Sequence, residues 1–252
     1  MQERLKIGAF QVGPLEEEQM LDMLGNQNYE GLDIVAFPER FIIDVFEPFS
    51  ESRSFRMLSN ISKNRIVVAG SILEKTSGGI FNRSYIFMNG STIGFQDKLV
   101  PFDRERGRVE KGRIINIFRT PDIAFAVPIC YDIDFPFYAK ISAMKGATLL
   151  INPSLIRNDF HKEWHTYIEA RALENRISVL SVNSANENFG GDSLFIDTYT
   201  ENNGVRTVKL EALKMTRFTV IYSDGKVEEK RELRKSEDPG YYSFPSKEIV
   251  YK

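Results

Sequence analysis

Three residues in this sequence of 252 residues could together carry out acyl transfer at a sulfur atom: a cysteine, a glutamate and a lysine. Cys130 is the single cysteine and follows the run IAFAVPI, Glu39 follows DIVAFP, and Lys98 follows TIGFQD. A thiol attacks a carbon centre only after losing its proton, which requires a base and a nearby positive charge. A carboxylate can take that proton and later return it to a leaving amine. An ammonium can stabilise the thiolate and the charge developing on a substrate oxygen or nitrile nitrogen.

Each of these residues follows a run that is typical of a buried strand. The clearest is Asp33–Phe37, which is almost continuously apolar, as strands covered on both faces are. In α/β folds, the loops that follow strand ends collect reactive side chains, because rigid strands position them and solvent reaches them. We therefore expect three distant segments of the chain to converge at one site.

The elements that must position this site alternate along the chain, which predicts an α/β fold. Helical spacing of apolar residues predicts helices over 16–28, 50–63, 137–145 and 159–176. Strands are predicted over 5–12, 33–37, 65–73, 80–88, 93–95, 114–118, 123–129, 147–151, 177–183, 193–196, 205–215 and 217–222. Ser77-Gly78-Gly79 predicts a hairpin turn.

The domain organisation follows from the absence of a Pro/Gly/Ser-rich linker, which predicts one domain. The pattern changes near residue 200, where long β-prone runs give way to a charged, aromatic tail. We expect residues 1–200 to form the main domain. Residues 201–252 are then a β-rich C-terminal extension that completes the domain or forms an arm contacting a partner subunit.

Composition excludes several classes of function. The formal net charge of −2 gives no electrostatic reason to bind nucleic acid or an anionic membrane. No apolar run approaches the roughly 20 residues that span a bilayer, and the charged start MQERLKIGAFQVG lacks the apolar core of a signal peptide. A lone cysteine cannot form an intrachain disulfide, and it fits a reducing compartment. The sequence predicts a cytoplasmic protein.

Several motifs occur together in the order typical of one family. They are FPER at 37–40, DKLVPFDRERG at 97–107, PICYDIDFP at 128–136, NPS at 152–154, EARALEN at 169–175 and SVNSANENFGGDSLFID at 181–197. With these motifs the chain resembles the nitrilase or carbon–nitrogen hydrolase superfamily. The order CYD, rather than CWE, after the cysteine is more similar to the amidase branches.

The resemblance implies an αββα sandwich whose subunits pair into a homodimer or larger oligomer. It implies that Glu39 is the general base and acid, that Lys98 stabilises the tetrahedral intermediate and that Cys130 is the nucleophile. Tyr131 would supply a second oxyanion donor through its backbone N–H, and Glu105 would orient the substrate or the lysine. Phe137 and Asn183 would bind or orient substrate. The implied substrate is a small-molecule amide, N-carbamoyl compound or nitrile, and no cofactor is implied.

Other interpretations compete with this one. Glu105 lies in the charge run RERGRVEKGR, which fits a solvated loop equally well. Many relatives have glutamate where this chain has Phe137, and glycine where it has Phe189. These departures favour a catalytically silent module that binds a metabolite or a protein. In that case, Cys130 would not react with iodoacetamide in the folded protein.

Two histidines on the predicted helix 159–176 suggest further alternatives. His161 and His165 are four residues apart, so that one of them could serve a Cys–His protease. The order HKEWH lacks the HExxH arrangement of zinc hydrolases, and no third ligand is suggested, so we expect no metal site. Replacing both histidines should abolish a protease and spare an amidase.

Overall fold

The computed structural model describes residues 4–201, 204–211, 217–223 and 245–251. Its helices are α1 (Glu17–Gly25), α2 (Arg53–Ile61), α3 (Pro136–Met144) and α4 (His161–Asn175). Its strands are β1 (Arg4–Phe10), β2 (Ile34–Ala36), β3 (Val45–Phe46), β4 (Ile66–Val68), β5 (Ile72–Thr76), β6 (Gly79–Met88), β7 (Ser91–Asp97), β8 (Ile115–Arg119), β9 (Ala124–Ala126), β10 (Leu149–Ser154), β11 (Ser178–Asn183), β12 (Leu194–Glu201), β13 (Gly204–Glu211), β14 (Arg217–Ser223) and β15 (Ser246–Val250). No helix in these ranges is long and apolar enough to cross a membrane.

The strands form two mixed sheets. The first has the order β14-β1-β2-β4-β6-β5-β3, with β7 also paired to β6, and the second has the order β13-β12-β11-β10-β9-β8-β15. The central strands of each sheet run parallel, β1-β2-β4 in the first and β9-β10-β11 in the second. Parallel strands of one sheet end at the same edge, where the loops that follow them collect reactive groups. The loop after β2 belongs to the first sheet and the loop after β9 to the second.

The two sheets pack face to face, and helices cover their outer faces. Because successive side chains of a strand point to opposite faces, Ile34 and Ala36 of β2 enter the core between the sheets. Val35 points outward and packs in a cluster with Met20 of α1 and Leu58 of α2. A third cluster joins the second sheet to α3 and α4. This arrangement confirms the predicted αββα sandwich.

The predicted strand 65–73 is two strands, β4 and β5, with a break at residues 69–71. Gly70 causes the break, because its φ of +51° is a backbone conformation that favours glycine. A Cβ atom at Gly70 would lie 2.0 Å from the carbonyl oxygen of Pro38. At this break the chain therefore passes against the turn that carries Glu39.

The described part of the C-terminal segment lies at sheet edges. β14 pairs antiparallel with β1, β13 pairs antiparallel with β12, and β15 pairs parallel with β8. These strands complete both sheets. The charged part of the predicted tail, 224–244, lies outside the described residues.

Candidate active site

The structure brings Glu39, Lys98 and Cys130 together from three segments. Glu39 lies in the turn after β2, Lys98 directly follows β7, and Cys130 begins a 3₁₀ turn, Cys130–Asp134, after β9. All three side chains are buried, with exposures of 3%, 2% and 6%. A buried charge is costly unless it is paired and hydrogen-bonded, so these groups must satisfy one another.

Lys98 lies between two carboxylates. Its Nζ donates to Oε1 of Glu39 at 2.7 Å and to Oε2 of Glu105 at 2.7 Å. Glu105 ends a 3₁₀ turn and also accepts the backbone N–H of Phe102 at 2.9 Å. The structure thus places Glu105 against the lysine rather than in solvent.

Asn82 of β6 closes this arrangement into a ring of four side chains. Its Nδ2 donates to Oε1 of Glu39 at 2.8 Å and to Oε1 of Glu105 at 2.7 Å. Each carboxylate therefore accepts a hydrogen bond from Lys98 and another from Asn82, on the same oxygen in Glu39 and on different oxygens in Glu105. Hydrogen bonds of this kind, with an ionised partner, are stronger than those between neutral groups.

The negative charges in this ring keep the side chain of Lys98 protonated. Burial alone would lower the pKa of Lys98, but the negative charges of Glu39 and Glu105 raise it above its ordinary value. Burial also acts to raise the pKa of Glu105. The charge of Lys98 and the hydrogen bonds that the Glu105 carboxylate accepts nevertheless hold that pKa below its usual range. The ammonium and the Glu105 carboxylate are both charged at neutral pH.

The surroundings of Cys130 favour the neutral form of its side chain, whereas those of Lys98 favour the charged form. Burial, followed by the charge of Glu39, raises the pKa of its thiol well above the ordinary value, and Lys98 and the backbone N–H of Leu155 counteract this in part. The resting sulfur is therefore a neutral thiol, which would need a base before it could act as a nucleophile. Its φ of +46° is an unusual conformation for a residue with a side chain, and strain of this kind often occurs at functional sites.

A buried carboxylate joins the cysteine loop to the lysine loop. Asp132 accepts the backbone N–H of Ile129 at 3.0 Å, of Leu99 at 3.1 Å and of Val100 at 2.8 Å. Burial raises the pKa of Asp132 to about 7, against the lowering effect of Lys98 and of these three amides. One side chain thus fixes the residue before Cys130 relative to the residues after Lys98.

The turn of the cysteine is also held from the second sheet and from α4. Asn152 of β10 donates through Nδ2 to the carbonyl oxygens of Pro128 at 2.8 Å and Cys130 at 3.3 Å. Arg171 of α4 donates to the carbonyl oxygens of Ile133 at 2.9 Å and Asp134 at 2.7 Å. These bonds satisfy carbonyl groups that the short turn leaves without intrahelical partners.

Tyr131 and Phe137 belong to a row of aromatic rings beside the cysteine, which we call the aromatic row: Phe102, Tyr131, Phe135 and Phe137. The ring centroids of Phe102 and Tyr131 are 4.8 Å apart, those of Tyr131 and Phe135 are 5.1 Å apart, and those of Phe135 and Phe137 are 6.3 Å apart. Phe102 is 51% exposed, so the row reaches the surface.

Asn183 forms its hydrogen bonds with neighbouring loops. It is fully buried at the end of β11, where its Oδ1 accepts the N–H of Ile156 at 2.7 Å and its Nδ2 donates to the carbonyl of Gly191 at 2.7 Å. These bonds hold two loops together rather than contacting the Glu39–Lys98 pair. The predicted role of Asn183 in orienting substrate stays a prediction.

The histidines contact the 189–192 loop. Nε2 of His161 lies 3.0 Å from the carbonyl oxygen of Phe189, and Nε2 of His165 lies 3.0 Å from that of Asp192. The groups that act on the thiol of Cys130 are instead Glu39, Lys98 and the Leu155 amide. Among the residues that the structure describes, no group of three or more His, Cys, Asp or Glu side chains could hold a metal ion.

Sequence reasoning missed Asn82. The residue lies in the run IFNRSYIFM, where a buried polar side chain interrupts the alternation of a strand. A polar residue at an inward-facing strand position must find a hydrogen-bond partner, and this is the one signal that could have identified it.

Comparison with known proteins identifies relatives over most of the chain. The sequence model of the family described as carbon-nitrogen hydrolase matches residues 18–202. A probable nitrilase of Schizosaccharomyces pombe is 30% identical over 226 residues, covering 84% of this chain and 80% of the relative. The omega-amidase NIT2 of Xenopus tropicalis is 28% identical over 207 residues, covering 73% of this chain and 75% of the relative.

A solved structure shares the fold. Nit3 of Saccharomyces cerevisiae, a member of branch 10 of the nitrilase superfamily, superposes with a TM-score of 0.78 at 23% identity. The match covers 95% of this chain and 97% of that one.

Proposed function

Because the chain belongs to the carbon-nitrogen hydrolase family, and so is an enzyme of the nitrilase superfamily, we propose that it hydrolyses a small-molecule, non-peptide amide through a thioester at Cys130. The observation that carries this proposal is the position of Glu39. Its carboxylate accepts a hydrogen bond from the Lys98 ammonium at 2.7 Å, and its charge acts on the buried thiol of Cys130. A base, a nucleophile and a positive charge that act on one another in one buried site are the groups that acyl transfer at a thiol requires.

In the first half of the reaction, the sulfur of Cys130 bonds to the amide carbon while Glu39 takes the thiol proton. The negative charge on the substrate oxygen is stabilised by the Lys98 ammonium and by the backbone N–H of Tyr131. Glu39 then gives its proton to the leaving nitrogen, the carbon–nitrogen bond breaks, and an amine or ammonia departs from the thioester.

In the second half, water attacks the thioester carbon and Glu39 takes a proton from that water. The same two donors stabilise the second tetrahedral intermediate. The carbon–sulfur bond breaks, the carboxylic product leaves, and Glu39 returns its proton to the sulfur. Glu105 stays ionised throughout and keeps the Lys98 ammonium in place.

The aromatic row supports a substrate with an apolar portion. Phe102 and Tyr131 lie on the two loops that carry Glu105 and Cys130, with ring centroids 4.8 Å apart. Aromatic side chains at the rim of a site provide apolar contact area for a ligand. An amide with an aryl or alkyl acyl group fits this lining better than a highly charged one.

Two further parts of the proposal are assembly and location. Tyr167 of α4 and Val208 and Leu210 of the edge strand β13 are 40%, 46% and 43% exposed, which supports burial of this surface between two copies of the chain. Light scattering would give the mass of a dimer or larger oligomer if this is correct. The need for a reduced thiol at Cys130 supports a reducing cytoplasm.

The experiment for the proposed reaction is ammonia release from a panel of primary amides, N-carbamoyl compounds and nitriles. Acetamide and phenylacetamide form the key pair, because they differ in the apolar group that the aromatic row would contact. We expect hydrolysis of amides, with phenylacetamide preferred. Hydrolysis of nitriles alone would replace the amidase proposal with a nitrilase one, and equal turnover by Cys130→Ala would overturn the thiol mechanism.

A further inference from the structure

Asn82 has a fixed orientation between the two carboxylates of the site. The residue is fully buried, and its Nδ2 donates one hydrogen to Glu39 at 2.8 Å and the other to Glu105 at 2.7 Å. Reversing the amide would bring its oxygen against two carboxylate oxygens, which can only accept. The neighbours therefore fix which amide atom faces the carboxylates.

This orientation distinguishes the two oxygens of Glu39. Oε1 accepts from Nζ of Lys98 at 2.7 Å and from Nδ2 of Asn82 at 2.8 Å, so both of its acceptor positions are occupied. A proton arriving on Oε1 would have to displace one of these charge-assisted or buried bonds. Oε2 is the oxygen that remains to exchange a proton with Cys130.

We propose that Asn82 is a positioning residue that keeps Oε1 of Glu39 unprotonated, so that the proton from Cys130 is carried on Oε2. This inference rests on the proposed function. In each half-reaction, the proton leaves the thiol or the water, binds Oε2 and moves from there to the leaving nitrogen or the sulfur. Asn82 touches neither substrate nor sulfur in these steps and acts through the two carboxylates.

A substitution of Asn82 would act on the charged groups that surround it. Lys98 after β7 and Glu105 in its 3₁₀ turn contact the ring directly, and Arg40 interacts electrostatically with both Glu39 and Glu105. Cys130 is a further titratable group that interacts electrostatically with Glu39. Burial acts against ionisation of Glu105, and the Asn82 bond is one of the contacts that lower its pKa.

The test is Asn82→Asp, which keeps the shape of the side chain and replaces two donors with acceptors. A third buried carboxylate beside Glu39 and Glu105 forces one of them to keep a proton at neutral pH. We expect kcat for amide hydrolysis to fall at least about tenfold, and the acid limb of the kcat/KM profile to move to higher pH by about one unit. KM should change little, because Asn82 does not contact substrate.

Asn175→Asp is the matched control. Asn175 is also a buried asparagine, but it lies at the end of α4 and donates to the carbonyl of Arg171 at 3.0 Å. This control should lower the melting temperature and leave the acid limb at the wild-type pH. If Asn82→Asp lowered kcat while its acid limb stayed at the wild-type pH, Asn82 would only fill space and the proposal would be wrong.

Two further measurements keep the proposal testable. If Asn82→Asp does not fold, Asn82→Ser adds no charge and leaves one donor for two carboxylates, so kcat should still fall with the acid limb shifted upward. Labelling of Cys130 by iodoacetamide needs no turnover and should become faster in Asn82→Asp but not in Asn175→Asp, because a proton kept on Glu39 removes the charge that raises the pKa of the thiol. Absence of amide hydrolysis by the wild type would refute the proposed function, whereas unchanged labelling would refute the role of Asn82.

Discussion

Asp132 accepts a hydrogen bond from the backbone N–H of Val100 at 2.8 Å, although the two residues are 32 positions apart in the sequence. The same carboxylate accepts the N–H of Ile129, directly before Cys130. The distance between the sulfur and the lysine loop is therefore set by one buried side chain. An active site assembled from separate loops depends on such supporting contacts to hold its geometry.

Asp132→Asn should damage both stability and activity. An amide can no longer accept all three backbone N–H groups, and its own N–H₂ would face donors. Leaving one buried donor unsatisfied costs about 1–3 kcal/mol. We expect that loss in the free energy of unfolding by urea, together with a fall in kcat. Asp159→Asn, at an exposed ion pair, should change neither.

The raised pKa of Asp132 also predicts a pH dependence of stability. Burial raises that pKa to about 7 in the folded protein, from an ordinary value near 3.8. Between these values the folded state binds more protons than the unfolded state, so this group's contribution to stability is greatest below about pH 4 and is lost as the pH rises through about 7. The free energy of unfolding should fall more steeply from about pH 5 to 7 in wild type than in Asp132→Asn. Parallel curves would contradict the assignment.

Removing Lys98 should leave two buried carboxylates without their shared cation. Lys98→Met is expected to lose activity at least about a thousandfold and to be destabilised by about 3–5 kcal/mol. Adding Glu105→Gln removes one of the two negative charges, so the double variant should regain stability without regaining activity. Urea unfolding and ammonia release measure the two effects. Lys75→Met, at an exposed ion pair, is the control.

Gly70 and Gly107 form a matched pair for testing the support under Glu39. Both have positive φ, but a Cβ at Gly70 would lie 2.0 Å from the Pro38 oxygen, whereas none of the described atoms lies within 4 Å of a Cβ at Gly107. Gly107→Ala should cost about 1–2 kcal/mol from conformation alone. Gly70→Ala should cost more than Gly107→Ala and also lower kcat, because Pro38 precedes Glu39. Equal losses would show that the contact does not matter.

Glu39→Gln should change thiol labelling and hydrolysis in opposite directions. The charge of Glu39 raises the pKa of the Cys130 thiol, so its removal should speed labelling by iodoacetamide near neutral pH. The same change removes the proposed base, so amide hydrolysis should fall by at least about a hundredfold. Slower labelling in Glu39→Gln would mean that Glu39 acts on the thiol as a base in both reactions, contrary to this prediction.

The sequence contained enough information for the fold class and for the convergence of three segments. Apolar runs such as 33–37 are continuous because both faces of the strand are buried, Ile34 between the sheets and Val35 under the helices. Such runs identify strands and the loops that follow them. The αββα layers were predicted from the resemblance rather than from this pattern.

Features that depend on distant contacts could not be predicted. Asn82 and Glu39 are 43 positions apart, and nothing near Asn82 in the sequence shows that it meets two carboxylates. The break between β4 and β5 depends on the approach of Gly70 to the Pro38 carbonyl, a tertiary contact. The pairing of β14 with β1 likewise joins opposite ends of the chain.

The most direct test of the central claim is intact-mass measurement after rapid acid quenching of the enzyme with a hydrolysable amide. We predict a mass increase equal to the acyl group replacing one hydrogen, located on the peptide that contains Cys130 and absent from Cys130→Ala. Hydrolysis of the same amide by Cys130→Ala at the wild-type rate would contradict the claim that this sulfur attacks the substrate.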